Sequence, residues 1–364
     1  MLKVTRAPSR YVQGKDALLN LKEHVSTLGN SFLIISSKTA MKVTKQKVKD
    51  SFEGTDTTLL FDLFTGLSSM TEINRIREIV KENNIEVIVG IGGGSTLDTV
   101  KAVAYYENLP IVICPTVTAT DAPCTALSVI YTDEGNFEKY LFYPTNPDVV
   151  IVDTTVVAGA PARFLVAGMG DALGTYFEAR ACYKNNADNL VAGKVSEAGL
   201  ALSKLCYETL LSDGYKAKCS AELGVVTEAL EKVVEATTYL SGVGAENGGL
   251  AAAHSIYNGF TVLPQSEQFM HGQVVAFGTL VQLMLENSDM EEIEEVINFC
   301  LSVGLPVTME QMGLGDLSND EVMKAATVAC AKGETIHNMT GDITPEALYS
   351  AILATDQLGK RYTK

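Results

Sequence analysis

Residues 87–98 read VIVGIGGGSTLD, and this stretch decides the fold. Val87-Ile88-Val89-Gly90-Ile91 is a short apolar run of the kind buried on both faces of a parallel sheet. Gly92, Gly93 and Gly94 end the run, and Ser95-Thr96-Leu97-Asp98 opens a helix. Glycines between a strand and a helix let the backbone approach a pyrophosphate closely. The loop N–H groups and the helix N-terminus then supply partial positive charge. Ser95 and Thr96 add hydroxyl donors. The stretch is not a full G-x-G-x-x-G, because Ser95 stands where the third Gly or Ala would be, and it lacks the lysine of a P-loop. A plain strand-to-helix turn capped by Ser95 or Thr96 is the alternative. Asp98, read as part of the first helical turn, suits the helix dipole but would repel a phosphate beside it. It is read as orienting the loop backbone or a neutral part of a ligand.

Working outward, Phe32–Ile35, Leu59–Phe61, Ile111–Cys114 and Val149–Val152 are further strand candidates. Helical patterns lie between them, one Lys-rich and running to about Phe52, another over Glu72–Glu82. This alternation implies a parallel sheet with helices on both faces. Ser128–Tyr131 and Tyr140–Tyr143 flank Asp133-Glu134-Gly135-Asn136 as a hairpin. After Ala160-Pro161 strand signals vanish and Ala-, Leu- and Glu-rich helical periodicity takes over. The expected organisation is an α/β domain over 1–160 with a parallel, Rossmann-like sheet, then an all-helical domain over 161–364, with a stiff cleft between them. A second loop, Pro115 to Pro123, leaves the strand after the glycine loop. Ligands bind at such carboxyl ends of neighbouring strands. Thr116, Thr118 and Thr120 offer hydroxyls there, and Asp121 is its only carboxylate, either a helix N-cap or a ligand contact.

A chain of 364 residues, 46% hydrophobic and 20% charged, is globular and long enough for two domains. The net charge of −16 opposes nucleic acid or anionic membrane as partner. No segment has the apolar length of a membrane span or a signal peptide. The seven cysteines include no C-x-x-C pair, which fits buried thiols in a reducing cytoplasm rather than a disulfide framework.

Only four histidines occur, and His254 and His271 lie inside a run, Val233–Met323, that contains no lysine or arginine. Their separation of seventeen residues puts them on two helices joined by the Gly259–Pro264 turn. Paired imidazoles without a nearby cation suggest a bound metal; satisfied structural histidines are the alternative. A catalytic zinc takes three protein ligands and keeps one position open. Asp171, read as opening a long helix, is either that helix's N-cap or the third ligand. His24 is read as solvated, and no role is read for His337.

Together, GIGGGSTLDTVKAVA, TDAPCTALSVIYTDEG, NPDVVIVDT, VAGAPARFLVAGMGDAL, TYLSGVG, GGLAAAH and HGQVVAFGTLVQL resemble, in order and over nearly the whole chain, the glycerol dehydrogenases of the metal-dependent (iron-containing type) alcohol dehydrogenase superfamily. The resemblance implies a dehydroquinate synthase-like superfold and zinc on Asp171, His254 and His271. It implies glycerol near Asp121 and those ligands. NAD would rest its phosphates on Gly92, Gly93, Gly94, Ser95, Thr96, Leu97 and Asp98, with further contacts at Thr116, Val117, Thr118, Ala119, Thr125, Leu127 and Tyr131. It also implies a homo-oligomer, often an octamer. Iron-binding relatives carry an extra histidine where this chain has Thr175, which favours a three-ligand zinc site. Three departures stand out. Ser95 replaces a usual lysine, and Tyr257 stands where a histidine is common near the site. Ser36-Ser37, followed by Lys38, replaces the aspartate that holds the adenosine ribose. A carboxylate there would repel the 2′-phosphate of NADP, whereas Ser37 beside Lys38 would not, so both dinucleotides stay open.

The expected reaction is hydride transfer between glycerol, or a related vicinal diol, and NAD. The cation-free run argues for a neutral polyol, since phosphate and carboxylate sites usually offer lysine or arginine. It weighs against glycerol-1-phosphate and against a dehydroquinate synthase-like lyase. It weighs less against a 2-hydroxycarboxylate dehydrogenase of the same superfamily, because TVLPQSEQFMHG resembles those enzymes and Arg163, Arg180 or Lys184 could supply a cation.

Overall fold

The computed structural model describes residues 2–363. The first part of the chain runs β1 (Arg10–Gly14), α1 (Leu21–Val25), β2 (Ser31–Ser36), α2 (Lys38–Ser51), β3 (Thr58–Leu63), α3 (Met70–Glu82), β4 (Val87–Gly92), α4 (Gly94–Glu107) and β5 (Ile111–Pro115). It continues through β6 (Leu127–Tyr131), β7 (Phe137–Phe142) and β8 (Val149–Asp153). Six strands form one sheet in the order β1-β8-β5-β4-β2-β3, every neighbouring pair parallel. β6 and β7 form a separate antiparallel hairpin. The sequence reading began the sheet at Phe32 and missed β1. RYVQG is too short and mixed to signal a strand, and it becomes one by pairing with the buried β8.

The remainder is helical: α5 (Thr154–Ala158), α6 (Ala162–Lys184), α7 (Glu197–Glu222), α8 (Glu228–Glu235), α9 (Ser241–Gly248), α10 (Ala252–Phe260), α11 (His271–Leu285), α12 (Met290–Val303), α13 (Asn319–Ala329) and α14 (Pro345–Tyr362). A π-helical turn, Ala236–Leu240, joins α8 to α9. No helix among the described residues is long and apolar enough to cross a membrane. All seven cysteines are free thiols.

Strand alternation sorts the core. Phe32 and Ile34 of β2 face one layer with Leu18, Leu21, Val25 and Val48, while Leu33 and Ile35 face the other. That second layer runs on without a break into Met169, Leu173 and Phe177 of α6 and Leu210 of α7. The sheet and the helical half are thus packed through one apolar body. α6 is buried on nearly every side, against α7, α9 and α11.

Two close approaches fix the registers that matter. A Cβ on Gly168 of α6 would lie 1.8 Å from the Thr118 carbonyl oxygen, and one on Gly272 of α11 would lie 1.8 Å from the Ala167 carbonyl oxygen. Only glycine lets the loop after β5 and the start of α11 sit directly on the α6 backbone. Gly168→Ala is therefore expected to destabilise the protein by about 2–3 kcal/mol, because backbone has to move to admit the methyl group. Urea denaturation of the two proteins measures this, and an unchanged midpoint would show that the contact is loose.

Candidate active site

The sequence reading put Asp171 at the start of its helix. The structure corrects this: α6 begins at Ala162, and Asp171 is mid-helix and only 1% exposed. His254 lies in the first turn of α10, and His271 is the first residue of α11. A short 3-10 turn, Pro264–Gln268, lies between those helices. Asp171 Oδ1 is 3.3 Å from His254 Nε2 and 3.0 Å from His271 Nε2. One ligand atom from each residue lies within 4.8 Å of the other two. Asp171 Oδ2 accepts a hydrogen bond from the Asp121 backbone N–H at 3.1 Å.

The protonation pattern shows what this cluster fits. His254 Nδ1 lies 2.5 Å from Glu178 Oε2. A carboxylate can only accept, so Nδ1 carries the hydrogen, and in the neutral ring Nε2 presents a lone pair to Asp171. Asp171 Oδ1 is buried and has no hydrogen-bond donor. An anionic oxygen and imidazole lone pairs converging away from water require positive charge. Burial opposes ionisation of Asp171, but His271 and His254 hold its carboxyl well below the usual range. Burial likewise opposes protonation of His254, and without a cation the Glu178 and Asp171 carboxylates outweigh it and push the ring well above its ordinary value, so that a proton on Nε2 then supplies the positive charge the cluster demands. The oxygen and nitrogen donor set suits a divalent metal, and Glu178 supplies the carboxylate–histidine support such ligands commonly have.

Glu178 was missed from the sequence. It is fully buried and also accepts from the backbone N–H groups of Ala251 (2.8 Å) and His254 (3.0 Å). Gln282 Oε1 accepts from Ala252 and Ala253 N–H, so two side chains cap α10 and fix His254. The available signal was spacing: Asp171 and Glu178 are seven residues apart and share a helix face.

Asp121 is half-buried beside the cluster and does not cap its short helix, Ala122–Cys124. Its Oδ2 accepts from Ser241 Oγ at 3.2 Å, and Ser241 also bonds Thr175 Oγ1 at 2.9 Å. Burial, then the Asp171 charge, push the Asp121 carboxyl up to about 7. Ser241, delivered by the π-helical turn, is a second residue without sequence signal. The Tyr257 ring meets His271 edge-on, with centroids 4.1 Å apart. Arg180 is engaged by Glu286 and Glu292, and Arg163 lies over Phe164. His24 stays on the short α1 and His337 bonds the Ala331 carbonyl, so neither joins the site.

The glycine loop offers a cradle. Nothing lies within 4 Å of where a Cβ on Gly94 would be, and Gly93 has only Val117 at 3.6 Å. The first turn of α4 has no side-chain cap and no acidic residue. Free amides aimed into open space fit a phosphate. Ser95 is exposed here, while Thr96 is buried beneath Gly92. Leu97 is a core residue that can offer only backbone. Asp98 lies in the second turn rather than the first. Its carboxylate accepts from Val129 N–H at 3.1 Å, and burial pushes it up to about 6, so it ties α4 to β6 rather than facing the loop. Ser37 caps α2 through its Oγ. Thr118 Oγ1 is buried with no protein partner, Thr125 Oγ1 bonds Ala122 O, and Tyr131 is half-buried. The loop from Thr116 to Asp121 spans the two features: Thr116 N–H bonds Gly92 O at one end and Asp121 N–H bonds Asp171 at the other.

Comparisons with known proteins follow this geometry. The family described as iron-containing alcohol dehydrogenase matches residues 8–154. Glycerol dehydrogenase of Citrobacter freundii is 51% identical over 362 residues, covering 100% of this chain and 99% of the relative. The crystal structure of glycerol dehydrogenase from Schizosaccharomyces pombe superposes with a TM-score of 0.95 at 37% identity, covering 99% of this chain and 92% of that one. That of a probable glycerol dehydrogenase from Sinorhizobium meliloti gives 0.92 at 41% identity, covering 99% and 100%.

If Glu178 sets the His254 tautomer, Glu178→Gln should lower affinity for an added divalent metal about 10- to 100-fold with the fold intact. Competition against a chromophoric chelator measures it; unchanged affinity would remove Glu178 from the site.

Two glycine positions separate stability from binding. Gly94→Ala meets no atom in the protein, so its melting temperature should hold. Its NAD affinity should fall about tenfold or more as the methyl group enters the cradle. Fluorescence titration with NADH decides this, and unaltered binding would place the phosphates elsewhere.

Proposed function

The chain belongs to the glycerol dehydrogenases of the iron-containing alcohol dehydrogenase family, and from that premise we propose that it oxidises glycerol, or a related small vicinal diol, with NAD to give dihydroxyacetone or the corresponding hydroxyketone. The observation that carries this reading is the convergence of Asp171, His254 and His271 beside Asp121. No lysine or arginine forms an ion pair with Asp121, Asp171 or Glu178 among the described residues. A neutral polyol suits such surroundings better than a phosphate or a carboxylate.

Asp171 Oδ1 and the Nε2 atoms of His254 and His271 would hold the metal. We assign it as zinc, because three protein ligands match a catalytic zinc site and Thr175 presents only a hydroxyl already bonded to Ser241. When bound, the metal supplies the Lewis acidity that lowers the pKa of a substrate hydroxyl, and NAD supplies the hydride acceptor. The chain's own residues do the rest. Ser241 occupies Asp121 Oδ2, which leaves Oδ1 to accept a hydrogen bond from the neighbouring hydroxyl and orient the diol. The carbinol carbon loses a hydride and its oxygen a proton; Asp121, half-buried and near neutrality in its affinity for protons, relays that proton toward water. Glu178 keeps the proton of His254 on Nδ1 and so keeps Nε2 free. Ser37 puts no carboxylate beside the adenosine ribose, so we infer that discrimination against NADP is weak. We take the protein to act as a cytoplasmic homo-oligomer, in line with its free thiols and with what its resemblance to the glycerol dehydrogenases implies.

Dialysis against EDTA should abolish glycerol oxidation and Zn²⁺ should restore it; full activity in metal-free protein would overturn the reading, and restoration by Fe²⁺ alone would overturn the assignment of zinc. In a panel of glycerol, 1,2-propanediol, a 2-hydroxy acid and glycerol-1-phosphate, the polyols should lead. Greatest turnover on the acid would favour a hydroxycarboxylate dehydrogenase. Ser37→Asp should raise the NAD-to-NADP ratio of kcat/KM about tenfold or more, and an unchanged ratio would place the ribose away from Ser37.

A further inference from the structure

Lys101 is only 3% exposed, and among the described residues it is the one lysine or arginine that is fully buried. It lies on α4, the helix opened by the glycine loop. Its ammonium has no ion pair among the described residues. Instead Nζ donates to Ala122 O at 2.5 Å, Leu127 O at 3.1 Å and Thr125 Oγ1 at 3.4 Å. These contacts use all three ammonium hydrogens, and all three acceptors lie in the six residues that follow Asp121. Burial pulls the ammonium below its ordinary value, and the Asp98, Glu246 and Asp121 charges work against that. A methionine would fill the same space without that burial cost. The donors, not the volume, are what the position uses.

The same segment is held from its other side. Glu246 Oε1 accepts from Ala126 N–H at 2.6 Å, and Asn146, itself bonded to Glu246, donates to Cys124 O at 2.9 Å. Gly242 of α9 leaves room for the Asp121 carbonyl, which would lie 2.7 Å from a Cβ there. Lys101 is thus the link by which the phosphate-loop helix sets the position of the loop that carries Asp121 and, at Thr125 and Leu127, two of the proposed dinucleotide contacts.

We propose that Lys101 is a positioning residue for hydride transfer, holding the Asp121–Leu127 segment at a fixed distance from the glycine loop so that the diol and the nicotinamide ring meet in register. The proposal rests on the function inferred above. It concerns alignment more than affinity, because the proposed phosphate cradle at Gly92–Gly94, which would carry most of the dinucleotide's charge, lies outside the segment, and only Thr125 and Leu127 of the proposed dinucleotide contacts lie within it.

The test compares the wild-type protein with Lys101→Met and Lys101→Arg. Hydrogen exchange without ligands should show the amides of 122–127 exchanging about tenfold faster in Lys101→Met, with β4 and β5 unchanged. With glycerol and NAD, kcat should fall about 100-fold while the Kd for NADH moves less than about threefold, and the deuterium isotope effect with perdeuterated glycerol should grow. Lys101→Arg keeps the charge but presents a planar fork to three acceptors grouped around one point, so an intermediate loss of kcat is expected. It decides the matter if Lys101→Met does not fold. Unchanged exchange in the segment, or faster exchange with kcat and the isotope effect unaltered, overturns the proposal. A loss of kcat that only tracks loss of NADH binding also overturns it. If the wild-type protein fails to oxidise glycerol, the functional reading falls, and the exchange result still decides whether Lys101 holds the segment.

Discussion

A carboxylate oxygen buried at Asp171 without a proton donor is the constraint on which the rest of this molecule depends. Such an oxygen is costly to keep in a protein interior unless a cation completes it. The helical half is built to maintain that condition. α6 must be buried along its length to desolvate Asp171, and it must be glycine-rich where Thr118 and Gly272 come down onto it. α10 must begin where Glu178 and Gln282 can take its free amides, because that start holds His254. Loosening any of these would let water reach Asp171 and remove the reason for two imidazoles to face it.

The charge around this centre is one-sided. Asp98, Asp171, Glu178 and Glu246 are buried, Asp121 is half-buried, and the one fully buried cation among the described residues is Lys101. A divalent ion and an oxidised nicotinamide, both cationic, would enter a pocket that attracts them, while an anionic substrate would meet net repulsion. Arg180 does not relieve this, since Glu286 and Glu292 already hold it. The proposed preference for a neutral polyol would follow from the whole charge set and not from one specificity residue. The run without lysine or arginine, Val233–Met323, was its trace in the sequence.

What could be read in advance, and what could not, follows from the range of the interactions. β4 and the glycine loop were legible because both faces of β4 are buried and three consecutive glycines are a local event. The histidine pair was legible because histidine is scarce here. Asp171 was given the wrong place in its helix for an instructive reason. Gly168 and Gly170 look like the irregular residues before a helix start, yet they are helical and serve close packing. Glu178, Ser241 and Lys101 owe their roles to partners far along the chain. Glu178 meets His254 seventy-six residues away and Ser241 meets Asp121 across one hundred and twenty. No local pattern encodes those meetings. β1 is the same case in a strand: it exists because β8 offers it an edge.

The loop from Thr116 to Leu127 gives the site its unity. It is bonded to Gly92 at its start, rests on Gly168 in its middle, bonds Asp171 through Asp121, and ends on the Lys101 ammonium. Hydride transfer needs donor carbon and acceptor ring aligned to within a fraction of an ångström, and two independently placed loops would each add their own freedom. One loop that touches the glycine turn and Asp171 and carries Asp121, the residues proposed to meet phosphate, metal and diol, would remove that freedom. The features that looked separate in the sequence, a glycine turn and two distant histidines, are joined by twelve residues whose threonines and Asp121 signalled a ligand loop but not that its backbone bonds both Gly92 and Asp171. On the proposed reaction, their backbone would carry its geometry.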